Sequence, residues 1–108
     1  MAKLEQFVQG DFQEVLSRIE QGILGGSVSA TLEDASDFAD GRSRVSVRVF
    51  ERYSYMGGNR VSLSVMLYQG ESGAVRISAI ASGGSQAMFF KINTFGEEAF
   101  LDKLREIL

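Results

Sequence analysis

The sequence contains no cysteine and no histidine. Without cysteine there is no disulfide framework, no thiolate nucleophile and no cysteine-based zinc or iron–sulfur site. Without histidine the usual proton shuttle of neutral-pH catalysis is missing as well. Basic residues are also in short supply: 11 Lys and Arg stand against 14 Asp and Glu, giving a formal charge of -3 and a pI near 4.9. Nonspecific nucleic-acid binding rests on neutralising phosphates with a basic surface, so this balance argues against a nucleic-acid partner. No stretch approaches the roughly 20 apolar residues that span a bilayer, and the start, Met1 to Val8, has no run of signal-peptide length. The expectation is a cytoplasmic protein with no membrane partner, no metal and no cofactor.

What is present is ordinary globular material. The chain has 108 residues, 44% apolar and 23% charged, which suits one domain with one core. Lys3 to Val8 reads as a short strand. Asp11 then caps a helix, with Glu14 three residues on as in a capping box, and Phe12, Val15, Leu16, Ile19 and Ile23 recur at helical spacing until Gly25-Gly26. Ser27 to Leu32 alternates like a strand, and the acidic stretch Glu33 to Gly41 reads as the most mobile loop. Arg44 to Tyr55 alternates clearly, with Val45, Val47 and Val49 taken as its core side. Across Gly57-Gly58-Asn59 it forms a hairpin with Arg60 to Tyr68, whose Val61, Leu63, Val65 and Leu67 point inward. Ala74 to Ala81 follows after a Gly70–Gly73 turn, with Val75, Ile77 and Ala79 inward. Met88 to Ile92 reads as a further strand. Thr94 would cap a last helix with Glu97 in the capping-box position and a stripe of Phe100, Leu101, Leu104, Ile107 and Leu108.

Two amphipathic helices bracketing one-sided antiparallel strands define a two-layer α+β domain. The sheet is a meander of about four to six strands, with the N-terminal and C-terminal helices packed on its valine face.

The run Ser82-Gly83-Gly84-Ser85-Gln86-Ala87-Met88-Phe89-Phe90-Lys91-Ile92-Asn93-Thr94, with Gly96-Glu97-Glu98, resembles the hallmark of a small uncharacterised bacterial family, a domain of unknown function. Arg48 to Tyr55 and Gly57-Gly58-Asn59-Arg60 also look like its pattern, so the resemblance covers nearly the whole chain. It implies a bacterial, cytoplasmic, single-domain protein and no activity.

Four groups of residues are candidate sites. Gly83, Gly84, Ser85 and Gln86 bring backbone N–H groups and two polar side chains together, which suits an anion or polar ligand; the plainer alternative is a bend in the sheet. The face taken to lie opposite the valines carries Arg44, Arg48, Phe50 and Arg52 on one strand and Met66 and Tyr68 on the next. Arginine there suits an acidic partner, and the apolar members suit a homodimer; a wet sheet face is the alternative. Glu51, set beside Val49 and Tyr53, would be an acid among apolar groups and a general acid with Tyr53 or Tyr55, unless a bulge turns it outward. Glu33, Asp34, Asp37 and Asp40 do not match a calcium loop, and read as a solvated connection.

The preferred reading is therefore a non-enzymatic binding or interaction module using the Arg/Ser face or the Gly83-Gly84 region, with a second copy, another protein or a small molecule as partner. The alternatives are a helix-grip pocket lined by Val65, Ile77, Phe89 and Leu104, and an enzyme built on Glu51.

Overall fold

The computed structural model describes residues 1–54, 58–83 and 90–108. The chain runs β1 (Ala2–Val8), α1 (Phe12–Gly25), β2 (Thr31–Asp40), β3 (Ser43–Ser54), β4 (Asn59–Gln69), β5 (Val75–Gly83) and α2 (Phe90–Ile107). The five strands form one sheet in the order β1-β5-β4-β3-β2, and every neighbouring pair is antiparallel. This is the α+β architecture that the sequence predicts.

Helix α1 begins where expected because the Asp11 carboxylate accepts the Glu14 backbone N–H at 3.1 Å, satisfying one of the donors a helix start leaves unpaired. At the other end Gly26 donates its N–H to the Ile23 carbonyl at 3.3 Å. All five members of the predicted stripe of α1 are buried, as are Phe100, Leu101 and Leu104 of α2. They meet Val61, Leu63, Val65 and Leu67 of β4 and Val75, Ile77, Ala79 and Ala81 of β5 in one cluster. Each large side chain so buried contributes about 1.5–3 kcal/mol. Helix α2 lies across β5, β4 and β1, and α1 packs beside it.

One face assignment is corrected. The buried side chains of β3 are Ser46, Arg48, Phe50 and Ser54, while Val45, Val47 and Val49 are only half-buried on the opposite face. The cause is parity. Directly opposed residues of an antiparallel pair share a face, and β3 pairs β4 as Ser54↔Asn59, Phe50↔Leu63 and Arg48↔Val65. The connection of residues 55–58 is thus even in length, and it sets the even-numbered residues of β3 beside the inward, odd-numbered residues of β4.

Four further expectations change. The acidic stretch is β2 and not a loop; it pairs along β3 through a two-residue turn, with a register shift between Leu32 and Asp34. Gly41 takes the first place of that turn at φ +60°, the position a tight hairpin gives to glycine. Residues 27–30 are a turn, held by the Ser29 N–H on Ser27 Oγ at 3.3 Å, so the strand begins at Thr31. Thr94, expected at the start of the last helix, lies inside α2, which begins at Phe90. Of the strand expected at Met88 to Ile92, residues 88 and 89 lie outside the described residues and the rest is helical.

Candidate functional site

The arginine row lies on the helix side of the sheet, with Arg48 buried and Arg44 still exposed at its end. At four-residue spacing along β3, Arg44 places its guanidinium 4.4 Å from the Phe12 ring centroid of α1 and Arg52 places its own 4.6 Å from that of Phe100 in α2. Between them Arg48, only 7% exposed, donates from Nε to Glu20 of α1 at 2.7 Å and from Nη1 to Asp37 of β2 at 2.9 Å. Nη1 also donates to the Val47 carbonyl at 2.9 Å. Arg48 thereby joins α1, β3 and β2. Burial works against its charge, but the hydrogen bonds to Glu20 and Asp37 outweigh this and raise its pKa. The Ser46 hydroxyl, donating to Asp37 at 2.6 Å, and then Arg48 hold the Asp37 carboxyl below the usual aspartate range. Burial lowers the pKa of Arg52.

Beside this network, Gln13 and Leu16 of α1 and Asp37, Arg44, Ser46 and Arg48 of the β2–β3 hairpin line an open cleft of about 370 Å³. Among the described residues no helix covers β2, all ten of whose residues are exposed, and this leaves the cleft open.

The predicted interaction residues separate into two groups. Arg44, Arg48, Phe50 and Arg52 lie on the helix side, with Phe50 fully buried. Met66 and Tyr68 lie on the other side, paired with Val47 and Val45. That other side is an open face. It carries Val45, Val47 and Val49 of β3, Met66 and Tyr68 of β4, Ile80 of β5, Phe7 of β1 and Phe38 of β2. Phe7 is 69% exposed and Phe38 73%, and no described element covers them. A hollow of about 140 Å³ opens beside the bulge between Asp34, Ser36, Val47 and Val49. The alternating valines signalled a sheet face correctly; only the length of the following connection tells which one. Phe7 and Phe38 gave no separate signal, one lying in a short strand and the other in a run that reads as loop.

Glu51 also belongs to the open face, in register with Val49 and Tyr53 as alternation requires. Its surroundings are polar, since Arg60 Nε donates to its carboxylate at 2.9 Å; Tyr55 lies outside the described residues. At the end of β5, the Gly83 N–H donates to Glu97 Oε2 at 2.7 Å, and the Met1 amino group pairs with the other oxygen of the same carboxylate. Glu97 is 5% exposed, so it clamps strand ends and has no capping role. Gly84, Ser85 and Gln86 lie outside the described residues. Val65, Ile77 and Leu104 of the supposed helix-grip pocket are fully buried in the core cluster, and Phe89 lies outside the described residues. Among the described residues no group of three or more Asp and Glu converges as a metal site, and no helix is long and apolar enough to cross a membrane.

These features define an α+β protein with one helix-covered and one open sheet face. The chain belongs to a family of unknown function, DUF6054, which it matches over residues 1–108. Comparison with curated proteins and with solved structures gave no match in either.

Proposed function

We propose that the protein is a non-catalytic cytoplasmic binding module whose working surface is the open sheet face. One observation carries the reading: Val45, Val47 and Val49 of β3 and Met66 and Tyr68 of β4 adjoin one another, with Phe38 beside Val45 and with Ile80 and Phe7 set off by Ser64 and Arg76, on a face that no described element covers. Antiparallel sheets tolerate a wet face when its residues are polar. A cluster of large apolar side chains on an uncovered sheet face instead marks a contact surface. The partner is a protein. The net charge of -3 and the exposed acids of β2 disfavour nucleic acid and anionic lipid, and the pairing of Glu51 with Arg60 speaks against a general acid at that position.

Capture from a lysate of the native host tests the reading. The wild type is expected to retain a partner, another protein or itself, that the Val47→Lys/Met66→Lys variant loses while its circular dichroism stays native. Equal retention by both proteins, or none by either, would overturn it.

The cleft beside α1 supports a second reading, a small polar ligand with a carboxylate. Arg44 lines that cleft and makes no ion pair within 4 Å among the described residues. Native mass spectrometry of untagged protein would reveal a retained adduct, and Arg44→Ala should release it.

A further inference from the structure

We infer that the open face is covered by a second copy of this chain, related to the first by a two-fold axis that runs along the strands. This rests on the open face being the working surface, and adds the occupant and its orientation.

The argument comes from the rows that cross the sheet. Strand pairing sets Phe7, Arg76, Tyr68, Val45 and Phe38 in one row from edge to edge. Two rows away stand Lys3, Ile80, Ser64, Val49 and Asp34. A two-fold axis parallel to β4 lays the β1 edge of one copy over the β2 edge of the other and keeps each row on itself. Phe7 then meets the second copy's Phe38, and Lys3 meets its Asp34. Ile80, 42% exposed, comes down at Val49, one wall of the hollow of about 140 Å³. Tyr68 and Met66 meet their own counterparts at the axis. Arg76 comes over the second copy's Val45 and keeps its own partner Glu5 at 4.0 Å, and each match between unlike positions occurs twice, as a two-fold interface requires.

The other face-to-face arrangement has its axis across the strands and fails on the same rows. It parts Lys3 from Asp34, sets the Asp34 carboxylate on the Phe38 ring, and lays Glu5, which pairs with Lys3 at 3.5 Å, over the Glu5 of the second copy. The complementarity therefore selects one axis.

The area is sufficient. Five strands about 4.8 Å apart and about seven residues long give a footprint of roughly 550 Å². Two such faces bury about 1,100 Å², above the roughly 1,000 Å² that a specific interface must clear. Sheets packed in this way stand about 10 Å apart with strands about 30° from parallel. That spacing exceeds the reach of a disulfide but suits a short cross-linker.

Because the chain has no cysteine, single cysteines report on the geometry without background. Sedimentation equilibrium of the wild type should give a dimer at micromolar concentration, weakened about 100-fold or more by Val47→Lys/Met66→Lys, which places four buried ammonium groups in the interface. With a bis-maleimide of about 10 Å span, a mixture of Phe7→Cys and Phe38→Cys proteins should yield covalent dimers. Either variant alone should not, since like positions stand about 19 Å apart across the sheet. Lys3→Cys mixed with Asp34→Cys gives the same readout should loss of an aromatic ring weaken the dimer. Cross-linking of Phe7→Cys with Lys3→Cys would overturn the axis. A monomer at about 100 μM would overturn the second copy, leaving the open-face reading alive if the lysine variant still loses its host partner. A dimer indifferent to the lysine variant would overturn both.

Discussion

Replacing Arg48 with alanine should separate the β2–β3 hairpin from α1 at a cost of about 2 kcal/mol. The side chain makes charged hydrogen bonds to Glu20 at 2.7 Å and Asp37 at 2.9 Å, and bonds of that class contribute about 1.5–3 kcal/mol each. Removing one partner of a fully buried pair costs about 3–5 kcal/mol. Here the acids left behind reach the surface, with side chains 29% and 59% exposed, so water recovers much of their solvation and the loss falls below that range. For a domain of about 100 residues the change lowers the melting temperature by roughly 8–16 °C. Urea unfolding followed by circular dichroism measures it, with the m-value unchanged as the sign that both end states are preserved. Arg48→Lys should fall between, keeping the charge but losing the planar fork that spans two carboxylates. Arg48→Glu should be the most damaging, because it adds a third carboxylate to the pair. A loss below about 0.5 kcal/mol for alanine would refute the reasoning, and would mean that α1 holds the hairpin through Phe12 and Arg44 alone.

Acid should weaken the same junction. The Asp37 pKa is depressed by Ser46 and then Arg48, so its contribution is complete above the usual aspartate range and is lost as pH falls through the depressed value. Asp37→Asn should flatten that part of the acid limb in urea midpoints collected from about pH 2.5 to 7, and superimposable limbs would sink the assignment. Gly96 brings α2 close to the sheet: an added Cβ would lie 2.7 Å from Ser54 Oγ and 3.3 Å from Val61 Cγ2. Gly96→Ala should therefore destabilise by about 1 kcal/mol, overpacking of about 1–3 kcal/mol exceeding a helix-propensity gain of up to about 1. A more stable variant in thermal melts would show that α2 shifts freely there.

Much of the architecture was legible because it depends on local signals. Asp11 and Glu14 mark the start of α1, the apolar spacings of α1 and the last turns of α2 name their buried faces, and β4 and β5 alternate cleanly. What was not legible depends on long-range pairing. Glu33 to Asp40 is poor in strand formers, and it is extended because β3 offers it an edge. The valines of β3 alternate as well against solvent as against a core, and only pairing with β4 decides between the two. The arginines were visible as a row with a purpose, yet their roles on Phe12, Glu20 and Phe100 require knowing where the helices lie. The open face could not be found until the valines had been turned outward.

The link between β3 and β4 is therefore constrained in parity more than in size. A homologue that gains one residue between Ser54 and Asn59 would present Arg48 and Phe50 to water and draw the valines beneath the helices, exchanging the two faces in one step. Such a chain has two ways to survive: a second residue in the same link, or an odd residue absorbed within a strand. The shift between Leu32 and Asp34 is this second remedy already in use, for it leaves Leu32 and Ala35 on one face although they stand three positions apart, an odd step. Length variation among relatives of this fold should accordingly accumulate in steps of two at the β3–β4 link, and single steps should coincide with a bulge.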